Sequence, residues 1–211
     1  AADEDAAITT PVASTTLVGV GSDTTQDVMY GIAQAINTAA GKQVIASFTA
    51  TGGSTITYRS GKVANRPNGS GAGFKALTDS IGLTAAGNAN INDVDFSRAS
   101  GAQAISSTVN SNGTVTDVPF ATDAVSLAVP AGSPFLLTNG GKGVSITDLV
   151  NIYTGTDTYV TKADGALVTQ AAYDAAADKS LYLPINAFVP KAGSGSRQFF
   201  LAQLATQGGG I

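Results

Sequence analysis

Three short turns rich in glycine and serine each stand between a strand-like run and a helix-like run. Their sequences are GVGSDTT at 19–25, NGSGAG at 68–73 and AGSGS at 192–196. A helix N-terminus carries unpaired backbone N–H groups and about half a positive charge, and glycine lets a ligand approach the backbone closely. In an open α/β sheet such turns lie at the carboxyl ends of the strands. Each turn taken alone is typical of ordinary helix capping, whereas the three together predict an α/β fold with an oxyanion-binding edge if they converge.

Two helices are predicted beside the first two turns. Apolar residues at helical spacing predict a helix over 26–39 that ends at Gly41. Its predicted buried face consists of Val28, Ile32, Ala35 and Ile36. Ser70 is predicted to cap a second helix, over 71–80, that Gly82 closes. The predicted buried side of this helix carries Phe74, Leu77 and Ile81.

Strand-like runs occur at 16–21, 43–49, 55–58, 94–97 and 181–189. The alternation of apolar residues over 117–130 predicts one or two further strands that cross the molecule. A third helix is predicted to open at Ser145, with Asp148 in a capping-box position. The third Gly/Ser turn is followed by a helix that carries Phe199, Phe200, Leu201 and Leu204. Strands that alternate with short helices are typical of an α/β fold with a largely parallel sheet.

The length of 211 residues allows one large domain or two small lobes. A change of composition at 108–116 favours two lobes and marks the boundary between them. We therefore predict a flexible N-terminal segment over 1–16, a first lobe over 17–117 and a second lobe over 118–211.

The composition excludes several classes of function. The chain has no Cys and no His, so it lacks thiol nucleophiles, imidazole bases and the usual zinc ligands. Its net charge of −4 and its scattered 11 basic residues argue against nucleic-acid binding. The longest apolar runs fall short of the roughly 18 to 20 residues that a membrane span needs. No cofactor or metal is expected.

Three weaker signals are interpreted as structural. The run GGKG at 140–143 lacks the spacing of a phosphate-binding P-loop. Lys75 near Ser70, and Lys191 near Ser194, are interpreted as solvated lysines rather than as partners in a Ser-Lys dyad. Asp93 and Asp95 lack the series of oxygen ligands that a calcium loop supplies.

The order of the motifs resembles the type II periplasmic-binding-protein superfamily, in particular the phosphate-binding-protein-like substrate-binding domains of secreted actinobacterial proteins. The resemblance covers most of residues 17–204. It is carried, in the family's order, by VGVGSDTTQDVM (18–29), RPNGSGAGFKAL (66–77), VDFSRAS (94–100), VPFATDAVSLAV (118–129), ITDLVNIYTG (146–155) and VPKAGSGSRQFFLAQL (189–204).

The resemblance implies a two-lobed fold with mixed, largely parallel sheets flanked by helices. It also implies that phosphate or a similar small oxyanion binds between the lobes, and that a membrane transporter or another surface protein is the partner. The implied ligand-binding residues are Ser22, Asp23, Thr24, Ser70, Gly71, Arg98, Ser100, Gly193, Ser194, Gly195, Ser196 and Arg197.

The chain departs from the family pattern at three positions. Ser100 stands where phosphate-binding members have the Asp that accepts the phosphate proton, and Pro190 stands where they have an Arg. Asp23 replaces an expected Thr donor. We therefore expect Asp23 to accept the proton and Arg98 or Arg197 to supply the positive charge. The alternative is that the site no longer binds phosphate.

Members of the family continue well past the SGS turn, so the second lobe is expected to be incomplete. Either the sequence is a fragment of a longer surface protein, or a partner chain completes the fold. Two functions stay open: a secreted or cell-surface solute-binding module without enzymatic activity, and a structural or adhesive surface domain that self-assembles and keeps only a vestigial cleft. The low charge and the Ser, Thr, Gly and Ala content favour the second function, and the three turns favour the first.

Overall fold

The structure is a computed structural model that describes residues 4–59, 61–82, 92–101, 115–135 and 143–207. These residues form five α-helices and eight strands in a mixed α/β arrangement. The chain divides into two compact units, one of Ala1–Ala121 with Lys191–Gln198 and one of Thr122–Pro190 with Phe199–Ile211. The third Gly/Ser turn belongs to the first of these units. Most of the predicted boundary segment, 108–116, lies outside the described residues.

A three-stranded parallel sheet forms the centre of the first unit. Strand β1 (Leu17–Gly21) lies between β2 (Ile45–Ser47) and β5 (Phe96–Arg98). Gly19 is buried as well as Val18 and Val20, as expected for a strand that is covered on both faces. The strands predicted at 16–21, 43–49 and 94–97 are confirmed, with shorter or slightly shifted bounds.

An antiparallel hairpin accompanies this sheet in the first unit. It consists of β3 (Thr55–Thr57) and β4 (Val63–Asn65), and it contains the strand predicted at 55–58. Ile56 of β3 lies in the core beside the rings of Phe48 and Tyr58. Burial raises the pKa of Tyr58 to about 12, and the charge of Asp93 adds to this effect. The Tyr58 ring therefore enters the core as a neutral phenol.

The N-terminal segment that was predicted to be flexible is held against the first unit over its described part. Val12 is 2% exposed and belongs to the core cluster. Asp5 forms an ion pair with Arg66, and its Oδ1 accepts a hydrogen bond of 2.8 Å from the backbone N of Thr49. The polar, small-residue composition of this segment therefore does not prevent packing, because the Asp5 carboxylate and the Val12 side chain hold the segment against the first unit.

Helix α1 (Gln26–Ala40) has the predicted position and ends at Gly41, whose φ of 62° is the predicted left-handed conformation. Its predicted buried face is wrong. Val28, Ile32 and Ile36 are 52%, 39% and 40% exposed, and the buried residue is Ala33.

The side chain of Asn37 explains the rotation of α1. Its Oδ1 accepts hydrogen bonds from Val44 N (2.7 Å) and Ile45 N (2.9 Å), and its Nδ2 donates to Ile45 O (2.9 Å). These bonds tie one side of the helix to the start of β2. Because the amide must face the strand, the apolar stripe of α1 is turned outward.

Helix α2 (Ser70–Ser80) presents its small residues to the sheet. Gly73 and Ala76 are buried, whereas the predicted core residues Phe74, Leu77 and Ile81 are half-buried. A Cβ placed on Gly73 would lie 2.4 Å from Gly21 Cα, so the helix and β1 approach backbone to backbone. Large side chains cannot occupy such a contact, so small residues form the buried face, and of the three predicted residues Leu77 packs against the core cluster as a half-buried side chain.

The second unit contains an antiparallel sheet, so the predicted parallel arrangement holds only for the sheet of the first unit. Strand β6 (Asp157–Thr161) lies between β7 (Leu167–Thr169) and β8 (Tyr182–Pro184). Strand β8 falls within the predicted run at 181–189. Strands β6 and β7 were not predicted.

Three helices accompany this sheet along the chain. Helix α3 (Ile146–Tyr153) has the predicted capping box of Ser145 and Asp148. Helix α4 (Gln170–Ala175) follows β7 directly, with Thr169 as its cap. Helix α5 (Gly195–Gln207) begins in the first unit and continues into the second, where Leu204 is fully buried.

The strands predicted over 117–130 are not formed. None of the residues 117–130 belongs to a strand. Val118 and Phe120 are 77% and 49% exposed, and Val125 and Leu127 are 48% and 41% exposed. Alternation of apolar residues favours an extended backbone, yet a strand also needs a neighbouring chain segment to pair with.

Two glycine substitutions test the backbone contact between α2 and β1. We expect Gly73→Ala to lower the free energy of unfolding by about 1–3 kcal/mol, because its Cβ would overlap Gly21. Gly31→Ala in α1 meets no atom within 4 Å and should raise it by about 0.5–1 kcal/mol through helix propensity. Urea denaturation measures both changes, and equal effects of the two substitutions would contradict the close approach.

Candidate oxyanion-binding site

The three Gly/Ser turns contact one another within the first unit. Gly69 N donates a 3.2 Å hydrogen bond to Gly21 O, which joins the second turn to the first. Gly71 N donates a 3.1 Å hydrogen bond to Gly193 O, which joins the second turn to the third. The second turn therefore joins the carboxyl end of β1 to a third turn that lies more than 100 positions further along the chain.

Ser70 and Ser100 form the centre of this contact. Ser70 is 1% exposed, its Oγ accepts a 3.1 Å hydrogen bond from Ser100 N, and the two Oγ atoms are 3.3 Å apart. The prediction that Ser70 caps α2 is wrong. Gly69 is the capping residue, with a φ of 99° and no side chain to form a capping bond, and Ser70 is already the first residue of the helix. The Ser70 hydroxyl is therefore directed to the turn after β5 rather than to its own helix.

Gly195, the first residue of α5, packs directly on these two hydroxyls. A Cβ placed on Gly195 would lie 2.4 Å from Ser100 Oγ and 2.7 Å from Ser70 Oγ. Only glycine fits this position. The neighbouring Ser194 has a structural role, because its Oγ accepts a 3.4 Å bond from Arg197 N in the manner of a helix cap.

Ser22 follows β1, and its buried hydroxyl has no hydrogen-bond partner among the described residues, as is also the case for the hydroxyls of Thr25 and Thr158. The residue is 1% exposed, and its N donates a 3.0 Å bond to Arg98 O. A buried hydroxyl without a partner costs about 1–3 kcal/mol, so native structures rarely leave one unsatisfied. The Ser22 hydroxyl is thus available to a ligand or to water.

Arg98, the last residue of β5, brings a positive charge to the same edge of the sheet. It is 2% exposed, and its guanidinium donates to Ser22 O (3.2 Å) and to Ser47 Oγ (2.8 Å). A buried cation attracts a nearby anion more strongly than a solvated one does, because the surrounding dielectric constant is lower. Arg98 therefore both positions the Ser22 backbone and favours negative charge at this edge.

The other predicted residues lie around this centre. Asp23 and Thr24 are exposed, and Asp23 Oδ1 accepts a 3.1 Å bond from Thr24 N. Ser196 and Arg197 are half-buried in the first turn of α5. The role of Asp23 as a proton acceptor stays a prediction. Hydrogen bonds and close contacts join the remaining candidates, which are Ser22, Ser70, Gly71, Arg98, Ser100, Gly193 and Gly195.

Three residues at the site were not predicted from the sequence: Ser47, Asn68 and Lys191. Lys191 Nζ donates a hydrogen bond to Asn68 Oδ1, so these side chains connect the second and third turns. Ser47 holds the Arg98 guanidinium from β2. The place of Asn68 within NGSGAG was a usable signal, whereas the pairing of β2 with β1 was needed to bring Ser47 to Arg98.

The weaker sequence signals have structural partners. Lys75 pairs with Asp79 one helical turn away, which accounts for Lys75 without a Ser-Lys dyad. Asp95 accepts hydrogen bonds from Arg59 and from Val18 N (2.8 Å). The described part of the chain contains no cluster of three or more acidic residues that could hold a metal ion.

Compared with protein-family models, with curated proteins and with solved structures, the chain gives no match. The resemblance to periplasmic binding proteins therefore depends on the motifs themselves. In the described ranges, every helix is too short or too polar to cross a lipid bilayer.

The two serine hydroxyls should respond differently to removal. Ser70→Ala leaves Ser100 N without its acceptor and should lower the free energy of unfolding by about 1–2 kcal/mol. Ser22→Ala removes an unsatisfied hydroxyl and should leave it unchanged or raise it slightly. Urea denaturation in a buffer free of oxyanions measures both values. A loss at Ser22 as large as that at Ser70 would show that the Ser22 hydroxyl has a structural partner.

Proposed function

We propose that this protein is a non-enzymatic binding module for phosphate or a similar small oxyanion. The observation that carries the proposal is the buried hydroxyl of Ser22, which lacks a partner among the described residues and follows the strand where all three Gly/Ser turns meet. Hydroxyl and amide hydrogens suit an oxyanion because its oxygens accept hydrogen bonds and do not donate them when ionised.

The donors near Ser22 are sufficient in number for useful affinity. Micromolar binding needs about 8 kcal/mol, and a hydrogen bond to a charged group contributes roughly 1.5–3 kcal/mol. Four to six donors therefore suffice before the entropic cost of association. The hydroxyls of Ser22, Ser70 and Ser100 would supply up to three of them, and Gly71 N would supply a fourth once Gly193 O releases it.

Arg98 is proposed as the source of positive charge, in agreement with one of the two arginines that the sequence suggested. Its guanidinium is held by Ser22 O and Ser47 Oγ, so its charge stays at the site without an exposed lysine. We propose a binding role rather than catalysis because the whole sequence has neither His nor Cys. The resemblance to periplasmic binding proteins adds a secreted or cell-surface location and a membrane transporter or other surface protein as partner.

Calorimetry with inorganic phosphate tests the proposal. We expect phosphate to bind and to raise the melting temperature in proportion to the logarithm of its concentration, whereas chloride at equal ionic strength should not. Ser22→Ala should weaken phosphate binding about tenfold or more. The control is Ser54→Ala, an exposed serine of the same unit, which should bind as the wild type does. Absence of phosphate binding, or equal binding by both variants, would refute the assignment of the site.

A comparison of phosphate with sulfate tests the protonation role of Asp23. Hydrogen phosphate can donate a hydrogen bond to a carboxylate, whereas sulfate at neutral pH has no proton to share. Asp23→Asn should therefore weaken phosphate binding and leave sulfate binding unchanged or stronger. Equal changes for the two anions would exclude Asp23 as a proton acceptor.

Exposed apolar residues favour a second candidate function, that of a surface domain that self-assembles. In the first unit Val118 and Phe120 are largely exposed, and in the second unit Phe188 is 83% exposed. Patches of exposed apolar side chains often mark surfaces that bind other protein molecules. The two candidates are compatible, because the apolar residues lie outside the predicted site residues.

Sedimentation analysis over a range of protein concentrations tests self-assembly. We expect association that is weakened by the double substitution Val118→Ser with Phe120→Ser. The matched control is Val63→Ser in β4, which removes another exposed apolar side chain, 61% exposed, from the same unit. A monomer at all concentrations, or equal effects of both changes, would argue against assembly through 118–120.

A further inference from the structure

We infer that residues 191–195, named here the strap, cover the proposed oxyanion site and must leave α2 before an anion can bind. The inference depends on the proposed function, because it concerns the regulation of that same site. The strap belongs to the first unit, as do Asn68, Ser70, Gly71 and Ser100.

The strap occupies the N-terminus of α2. Gly71 is the second residue of α2, and its N–H is one of the four that an α-helix leaves without an internal partner. Gly193 O accepts this hydrogen bond at 3.1 Å. A carbonyl oxygen thus takes the place that an oxyanion oxygen would take, and both cannot accept the same hydrogen in good geometry.

The Gly195 backbone also excludes an anion from the site by steric overlap. Gly195 lies so close to Ser70 and Ser100 that an added Cβ would be 2.7 Å and 2.4 Å from their hydroxyl oxygens. An ion of several heavy atoms cannot enter between these hydroxyls while the Gly195 backbone remains there. Binding at Ser70 and Ser100 therefore requires a displacement of the strap.

An exposed side-chain hydrogen bond holds the start of the strap in place. Lys191 and Asn68 are both exposed, and the hydrogen bond between their side chains is the polar side-chain contact that ties the start of the strap to the second turn. Ala192 and Gly193 are also exposed. Exposed polar bonds are weak because water competes for both partners, so this latch can open.

The opening of the strap and the binding of the anion are then coupled. When only a fraction of the molecules is competent to bind, the apparent dissociation constant equals the intrinsic one divided by that fraction. A change that loosens the latch without touching the binding donors should therefore strengthen phosphate binding. A contact that is merely structural would have no such effect.

Asn68→Ala is the appropriate variant, because it removes the latch acceptor and keeps the charge of Lys191. The matched control is Asn65→Ala, at another exposed asparagine of the first unit. In phosphate-free buffer we expect Asn68→Ala to speed amide hydrogen exchange at Gly71, measured by NMR, about threefold or more over wild type and control. Calorimetry should show about threefold tighter phosphate binding by the same variant, and saturating phosphate should slow the exchange at Gly71 again.

The two measurements separate the inference from the function on which it depends. Equal Gly71 exchange in Asn68→Ala and Asn65→Ala would overturn the strap, even if phosphate binds. Faster exchange with unchanged or weaker phosphate binding would show that the strap opens but does not compete with the anion, and would also overturn the inference. Faster exchange without phosphate binding by any variant would overturn the proposed function and the regulatory role together.

Discussion

The backbone contact between α2 and β1 is the constraint on which the candidate site depends. Gly73 lies over Gly21 at a distance that excludes any side chain, and Gly69 N bonds to Gly21 O at the end of the same strand. This contact sets the height of α2 above the sheet, so its first residue, Ser70, lies beside the turn that follows β5. A larger residue at 73 would lift the helix and separate Ser70 from Ser100. The small residues that look like a weak helix face are therefore the ones that build the site.

The three serines illustrate how one residue type can have different roles at similar positions. Ser194 caps its own helix, Ser70 accepts a bond from the following turn, and Ser22 has a buried hydroxyl with no partner among the described residues. Of the three, only the Ser22 hydroxyl is buried without a partner in the described part of the chain. This burial costs free energy, which a hydrogen bond to a ligand can recover. Because unsatisfied buried groups destabilise a fold, such a group is a more specific sign of binding than a Gly/Ser turn alone.

Part of this arrangement could be predicted from sequence. The strand, turn and helix order around 19–25 and 68–73, the αL residue Gly41 and the capping box at Ser145 follow from local backbone chemistry, and the structure confirms them. The rotation of α1 could not be predicted, because it depends on hydrogen bonds between the Asn37 side chain and the start of β2, eight residues further along the chain. The segment 117–130 shows the same limit. Its alternation specifies backbone conformation, but strand formation depends on a neighbour that periodicity does not identify.

The strap follows from the chemistry that makes the site attractive to an anion. Donors that bind an oxyanion also bind a backbone carbonyl, so an empty site of this kind draws in nearby chain unless the chain is held away. Gly193 and Gly195 can approach because they carry no side chain, and the proposed anion requires the same freedom of approach. The neutral carbonyl gains about 1 kcal/mol from its hydrogen bond, whereas a charged acceptor gains roughly 1.5–3 kcal/mol. A charged ligand can therefore displace the strap, while water, which is neutral, has no comparable advantage over the carbonyl.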